Sequence, residues 1–205
     1  MMHDPDWERP IERRYRDPLD LTWLTAARRL GLTIVRDPSC FASSDGQGTI
    51  RLAPDADLDP DDCLAQMIFH ECCHWLTNGP DSVREEDWGF TPGVEGDLRE
   101  HACLRVQAHL ADAHGLRRFL APTTIYRQYH DRLGADALAP FDDSARETEI
   151  VALARAGCER AAAAPFAHVL DEALSTTRRL RDAIEPFLPD DPTGNGDDLA
   201  ELWGA

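Results

Sequence analysis

The chemically most suggestive stretch of this chain is His70-Glu71-Cys72-Cys73-His74, an H-E-x-x-H pattern. On a helix, residues 70 and 74 lie one turn apart, so both imidazoles project from the same face. Two neutral ring nitrogens on one face can hold a zinc-sized ion at about 2.0–2.1 Å each. Glu71 is offset by one position, which places its carboxylate beside the ion as a general base for a bound water. The pattern therefore predicts a metal site that activates water.

A catalytic zinc ion usually takes three protein ligands and keeps one position open. The same stretch does not supply a third histidine, because Thr77 and Pro80 stand where the extended H-E-x-x-H-x-x-G-x-x-H pattern needs glycine and histidine. We therefore expect a carboxylate from a following helix. Glu100 is our candidate, because it lies in the first turn of an amphipathic helix and is followed by the small residues Ala102 and Cys103.

Three other residues compete with Glu100 for the role of third ligand. Asp97 is typical of a helix N-cap, His101 should point about 100° away from Glu100 on a helix, and Glu95 lies in the preceding loop. The interpretation without a metal is a buried helix with two hydrogen-bonded histidines and a solvated glutamate at position 100.

Supporting residues are harder to choose from the sequence. An oxyanion opposite the metal needs a donor such as histidine, tyrosine or arginine. The candidates are Arg105, His109, His114, Tyr126, Tyr129 and His130. Asp87 is a candidate for the carboxylate that orients a zinc-bound imidazole, or alternatively for a residue that stabilises a turn with Gly89.

These residues need helices to position them. The hydropathy pattern predicts helices over residues 18–30, 59–77, 98–113, 123–133, 144–164 and 166–187, and short neighbouring strands over 32–35 and 48–52. Asp59 as N-cap and Pro60 as first helical residue open the H-E-x-x-H helix. This helix is apolar on nearly all sides, which indicates a buried helix. Residues 81–96 form a long loop, and such loops are often functional.

The expected fold is α+β, mostly helical, with a small β-sheet beside the H-E-x-x-H helix. We predict one metal-binding domain over residues 18–188, a flexible N-terminal arm over 1–17, and an acidic, disordered C-terminal tail over 189–205. Leu202-Trp203 in that tail could dock into a groove of this chain or of a partner.

Composition restricts the partners and the compartment. The net charge of −17, with arginine as every basic residue, argues against nucleic acid or an anionic membrane as partner. The sequence has neither a signal-peptide pattern nor an apolar run of membrane-spanning length, so we expect a cytoplasmic protein. The six cysteines lack C-x-x-C spacing, so they are expected to be buried, reduced thiols. A disulfide between Cys73 and Cys103 is the alternative.

A strand, an H-E-x-x-H helix and a helix that carries a glutamate together resemble the core of zincin metallopeptidases, in their glutamate-ligand (gluzincin) branch. The resemblance covers roughly residues 48–113. Glu100-His101-Ala102-Cys103 is similar to the E-x-x-A pattern of ImmA/IrrE-type peptidases, whereas Leu104 replaces the aspartate of the thermolysin-like E-x-x-x-D. This resemblance implies a zinc peptidase acting on a protein or peptide, with His70, His74 and Glu100 as ligands and Glu71 as base.

A second resemblance is to the elongation factor P hydroxylase family, which pairs an H-E-x-x-H-W helix with a downstream D-[FW]-G loop and a later glutamate. Counterparts of that pattern here are His70, Glu71, His74, Trp75, Asp87, Gly89 and Glu100. This resemblance implies an iron(II) hydroxylase acting on a protein substrate.

The sequence thus leaves three functions open. Two histidines and one carboxylate can hold zinc for hydrolysis or iron(II) for oxygen chemistry. We place the hydrolase first, because a general base at Glu71 has an obvious use beside metal-bound water. The third hypothesis is a non-catalytic regulatory protein whose metal is structural, which a fourth protein ligand such as His101 would favour.

Overall fold

The structure, a computed structural model, describes residues 15–59, 62–90, 98–122 and 124–187. Its helices are α1 (Pro18–Arg29), α2 (Leu64–Asn78), α3 (Leu98–Asp112), α4 (Thr124–Asp131), α5 (Ala145–Ala161) and α6 (Phe166–Ile184). Its strands are β1 (Thr33–Arg36), β2 (Ala42–Ser44) and β3 (Thr49–Leu52). Single 3-10 turns cover Asp55–Asp57, Pro80–Arg84, Asp87–Gly89 and Glu185–Phe187. The prediction of a mostly helical α+β fold is confirmed.

The three strands form one sheet in the order β1-β3-β2, with β1 parallel and β2 antiparallel to β3. The predicted pairing of the strands near residues 32–35 and 48–52 is therefore confirmed. Strand β2 was not predicted, because its serines belong to a stretch typical of turns. The backbone N–H of Ser44 donates to Asp87 Oδ1 at 3.0 Å, so a distant side chain helps to hold this short strand.

Helix α2 begins later than predicted. Its N-cap is Cys63, which forms a capping box with Gln66, and the Cys63 N–H donates to Gln66 Oε1 at 3.2 Å. The prediction of Asp59 as N-cap was wrong, because the Cys63–Gln66 exchange satisfies the free N–H groups four residues further on. Of the helix residues only Trp75 and Asn78 are not buried, so the prediction of a buried helix is confirmed.

Helix α5 brings α2 and α3 together. Gly157 lies where the backbones approach closely: a Cβ there would come within 2.8 Å of Val106 Cγ2 and 3.4 Å of the Leu76 carbonyl oxygen. Arg160 on the same helix donates from Nη1 to the carbonyl oxygens of Leu76 and Thr77, the latter at 3.1 Å. These bonds satisfy carbonyl groups that the end of α2 leaves without helical partners. The two helices that carry the predicted site residues are thus held from one side.

A buried ion pair strengthens the same assembly. Arg105 of α3 is fully buried and contacts Glu147 of α5, and its Nε donates to the Tyr129 hydroxyl at 2.9 Å. Its Nη1 donates to the carbonyl oxygens of Ala137 and Ala139 at 2.7 and 2.8 Å. Because these acceptors occupy the donors of the guanidinium group, the buried charge is well compensated.

The remaining predicted helices occur within a few residues of their expected limits, and Ser144 caps α5 by accepting from the Glu147 N–H at 3.2 Å. The main hydrophobic core draws residues from α1, β3, α2, α3, α5 and α6. Residues 1–14, 91–97 and 188–205 lie outside the described part, so most of the predicted arm, part of the 81–96 loop and the predicted tail lie there too. None of the described helices is both long and apolar enough to cross a membrane.

Candidate metal centre

The structure brings the three predicted ligands together, two from α2 and one from the first turn of α3. His70 Nε2 lies 3.5 Å from Glu100 Oε1, and His74 Nε2 lies 3.6 Å from Glu100 Oε2. All three residues are buried, with 7%, 8% and 9% of their surfaces exposed. The two imidazole rings meet edge to face, with centroids 4.4 Å apart. Both ε nitrogens therefore face one carboxylate inside the protein.

Gln107 was not predicted to be a site residue. Its side chain contacts the His70 ring and determines which ring nitrogen faces Glu100. Its Nε2 donates to the Leu120 carbonyl oxygen at 2.8 Å, and this bond fixes the orientation of the amide. The amide oxygen, Oε1, therefore lies 2.8 Å from His70 Nδ1 and must accept a proton from it. In a neutral imidazole with its proton on Nδ1, Nε2 carries a lone pair. Gln107 thus directs that lone pair towards Glu100.

His74, on the next turn, loses its proton more easily than a free histidine. Burial is the main cause that lowers the pKa of His74 well below its usual value, and the charges of His70 and Arg99 lower it further. A metal requires neutral imidazole ligands. Two imidazole ε nitrogens and a carboxylate therefore converge on one point.

The spacing of these acceptors fits an ion between them. Two ligands at about 2.0–2.1 Å from one tetrahedral metal lie about 3.3–3.4 Å from each other. The observed separations of 3.5 and 3.6 Å are near that value, and they exceed the roughly 2.7–2.9 Å of a charge-assisted hydrogen bond. The buried group of His70, His74 and Glu100, with Cys103 beside it, could bind a metal ion.

Cys103 belongs to the same buried group, and its thiol also contacts the backbone and ring of His70. Its Sγ lies 3.9 Å from His70 Nδ1, the nitrogen that Gln107 already engages, and it donates to the His70 carbonyl oxygen at 3.8 Å. Burial raises the pKa of this thiol well above its usual value. All six cysteines are free, so the alternative of a disulfide between Cys73 and Cys103 is not realised.

His101, a competing third ligand, stacks on Tyr129 with ring centroids 3.9 Å apart, away from the acceptor group. The other competitors, Glu95 and Asp97, lie outside the described residues. Glu100 is thus the carboxylate that meets both histidines in the described part of the chain. Three protein ligands leave one tetrahedral position open.

Glu71 lies beside this group, with 4% of its surface exposed. Its Oε2 accepts a hydrogen bond from Trp88 Nε1 at 2.6 Å. Burial is the main cause that raises the pKa of Glu71 above its usual value. A carboxylate whose pKa is shifted towards neutrality is a more effective general base near pH 7 than an exposed one.

The predicted role of Asp87 was wrong. Its carboxylate does not orient a ligand histidine: Oδ1 accepts from the Ser44 N–H, while Gln107 engages His70. The D-W-G turn does reach the site, but through Trp88. The sequence signal for Trp88 was its place in that motif, and its partner could not be identified without the turn's conformation.

Several predicted oxyanion donors are engaged elsewhere. Arg105 pairs with Glu147, His114 Nε2 lies 3.6 Å from Asp171, His130 Nδ1 lies 3.2 Å from Asp131, and Tyr129 stacks on His101. His109 is exposed, and Tyr126 is half-buried on α4.

The cation beside the acceptor group is Arg99, which the sequence analysis did not consider. Its guanidinium group lies 4.8 Å from the Phe90 ring centroid, and that ring packs edge-on against His74 with centroids 4.6 Å apart. Its Nη2 donates to the Gly89 carbonyl oxygen at 2.6 Å. Arg99 therefore adds positive charge next to a ligand histidine.

Comparisons of this chain with protein-family models, with curated proteins and with solved structures found no match. The resemblances noted in the sequence therefore rest on short motifs, and function has to be argued from the site itself.

Proposed function

We propose that this protein is a metal-dependent hydrolase, and specifically a zinc metallopeptidase with a zincin-like core. The observation that carries the proposal is the convergence of three acceptors, from His70, His74 and Glu100, beside a buried Glu71. The three acceptors supply ligand atoms for a metal ion, and Glu71 supplies a proton acceptor beside them. The substrate class, a protein or peptide, follows from the resemblance to gluzincins.

The roles of the side chains follow from their contacts. His70 and His74 would hold the ion through their ε nitrogens, Glu100 would supply the negative charge, and Gln107 keeps the His70 ring in place. Zinc held there would supply a water of lowered pKa. Glu71 would accept a proton as the water oxygen bonds to the substrate carbonyl carbon, and would return that proton to the amine as the C–N bond breaks.

A second candidate is an iron(II) hydroxylase that acts on a protein. Two histidines and one carboxylate suit iron(II) as well as zinc. The observation that favours this candidate is the position of the D-W-G turn, since Trp88 stacks on Trp75 with centroids 6.1 Å apart and bonds to Glu71. The elongation factor P hydroxylase motif contains both the H-E-x-x-H-W helix and this turn.

The third candidate, a protein whose metal is purely structural, is less well supported. A closed structural zinc site needs four protein ligands. His101 stacks on Tyr129, and Cys103 lies on the Nδ1 side of His70. His101 is thus engaged elsewhere, and a structural site would need Cys103 as its fourth ligand.

The experiment that tests the proposal is metal analysis of the purified protein, followed by cleavage of a peptide library by the loaded form. We expect one equivalent of zinc in the wild type and none in His70→Ala. His168→Ala is the matched control, because this histidine side chain is 80% exposed. Glu71→Gln should keep its zinc and lose peptide cleavage by about 10²–10⁴-fold, the usual contribution of a general base.

Other outcomes separate the candidates. One equivalent of iron, with oxygen consumption in the presence of a protein substrate, would replace the hydrolase by the hydroxylase. Zinc that binds without any cleavage would favour the structural role. Absence of bound metal, even after zinc or iron is added, would exclude all three.

A further inference from the structure

The turn that carries Trp88 has an unusual backbone. Asp87 and Trp88 have φ angles of 47° and 56°, and Gly89 follows with 73°. The left-handed region suits glycine and is tolerated by aspartate, but a bulky residue such as tryptophan is rarely found there. Such conformations persist where the surrounding structure holds them, and they cluster at functional sites.

Contacts from three directions hold this turn. On the sheet side, Asp87 accepts from the Ser44 N–H, and an isolated bridge joins Asp45 to Glu86. On the side of α3, the Gly89 carbonyl accepts from Arg99. On the side of α2, the Trp88 ring stacks on Trp75, which directly follows His74.

These contacts place the Trp88 indole where it forms a buried hydrogen bond with Glu71. Trp88 is 3% exposed, and its indole N–H points at Oε2 of Glu71 at 2.6 Å. An indole nitrogen can only donate, so it binds the carboxylate without competing for a proton. One oxygen of Glu71 is thereby anchored to the turn that carries Trp88.

We propose that Trp88 is a positioning residue, which holds the Glu71 carboxylate in the one orientation that faces the open position of the metal centre. This inference rests on the proposed hydrolase function. It gives the left-handed turn a purpose, because this turn places the Trp88 indole N–H against Glu71 on α2.

The test uses a small chelating ligand and needs no known substrate. Acetohydroxamate binds a metal through two oxygens, and its hydroxyl proton passes to a carboxylate placed beside the metal. We expect zinc-loaded wild type to bind acetohydroxamate, Glu71→Gln to bind it at least tenfold more weakly, and Trp88→Phe to show a similar loss. Zinc affinity should stay unchanged in both variants, because neither residue is a ligand. The measurement is isothermal titration calorimetry.

Trp23→Phe is the matched control. Trp23 is fully buried and packs on Phe69 of α2, but its indole N–H donates to Thr177 Oγ1 of α6 at 2.9 Å instead of to Glu71. Both phenylalanine variants lose one buried indole hydrogen bond, so both should lose stability. Only Trp88→Phe should weaken acetohydroxamate binding. Equal acetohydroxamate affinity in Trp88→Phe and wild type would overturn the inference, as would zinc-loaded wild type that binds no acetohydroxamate.

A second measurement covers the case in which Trp88→Phe does not fold. In the ¹H–¹⁵N spectrum of the zinc-loaded protein, the indole proton of Trp88 should resonate downfield because of its short bond to a carboxylate. Glu71→Gln should move this signal upfield and leave that of Trp23 in place; no movement would contradict the inference. Both measurements are independent of peptide cleavage. If Trp88→Phe weakens acetohydroxamate binding and the indole signal shifts, but no peptide is cleaved, the hydrolase is excluded and the positioning role of Trp88 is not.

Discussion

At the scale of single residues, the site depends on how protons are distributed among acceptors. The carbonyl oxygen of Leu120 can only accept, so it orients the Gln107 amide, and the amide oxygen in turn holds the proton of His70 on Nδ1. Each hydrogen bond in this series fixes the orientation of the next group, so that Nε2 of His70 faces Glu100. The side-chain carboxamide of Gln107 therefore orients His70 in the way that a carboxylate often orients a metal-bound histidine.

This chain of bonds predicts the effect of replacing Gln107. Gln107→Leu has a similar volume but offers no acceptor, so the His70 ring loses its fixed orientation and tautomer. We expect zinc affinity to fall by about 10–100-fold, the usual effect of removing such an outer partner. Competition with a chromophoric chelator measures the affinity. The control is Gln128→Leu, since Gln128 is exposed on α4. Equal zinc affinities in Gln107→Leu and wild type would show that the amide does not prepare the ligand.

At the scale of elements, the centre depends on the distance between α2 and α3, because the histidines lie on one helix and Glu100 on the other. Helix α5 holds both, and at Gly157 it approaches them too closely for any side chain. Val106 on α3 is β-branched and therefore restricted in its rotamers. It has little freedom to make room for a Cβ.

A larger residue at position 157 should therefore be costly. Gly157→Val would force apart helices that are already in contact, and we expect a loss of about 2–3 kcal/mol in the free energy of unfolding, as in other overpacked cores. Gly134→Val is the matched control, because a Cβ at Gly134 meets nothing within 4 Å. Urea denaturation followed by circular dichroism gives both values. A loss of similar size in the two variants would argue against the close approach.

The elements also explain what the sequence could and could not predict. The spacing of His70 and His74 and the apolar pattern around them are local, so helix periodicity was enough to identify α2 and the face that carries both histidines. Glu100 could be selected because the first turn of a neighbouring helix is a natural place for a third ligand. Gln107 and Trp88 were out of reach, since their roles depend on how α3 crosses α2 and on the left-handed turn. The start of α2 was misplaced because two capping signals, at Asp59 and Cys63, compete within four residues.

At the scale of the whole molecule, an ion in this centre would act as a crosslink. It would join α2 to α3 within the main core, and it would compensate the carboxylate of Glu100, which is buried in a chain of net charge −17. Binding to the folded state alone makes stability depend on the concentration of free metal. The thermal stability of the molecule should therefore report on the occupancy of the centre.

Removal of the metal should lower the melting temperature by an amount that can be estimated. At free zinc of about 1,000 times Kd, binding stabilises the folded state by about 4 kcal/mol. For a domain of this size, 1 kcal/mol corresponds to about 2–4 °C, so chelation should lower Tm by about 8–16 °C. Differential scanning calorimetry with and without a chelator measures the shift. His70→Ala should melt at one temperature under both conditions, whereas His168→Ala should respond as the wild type does. A wild-type Tm that is indifferent to zinc and to chelator would mean that the acceptors are satisfied without an ion, and the hydrolase proposal would lose its foundation.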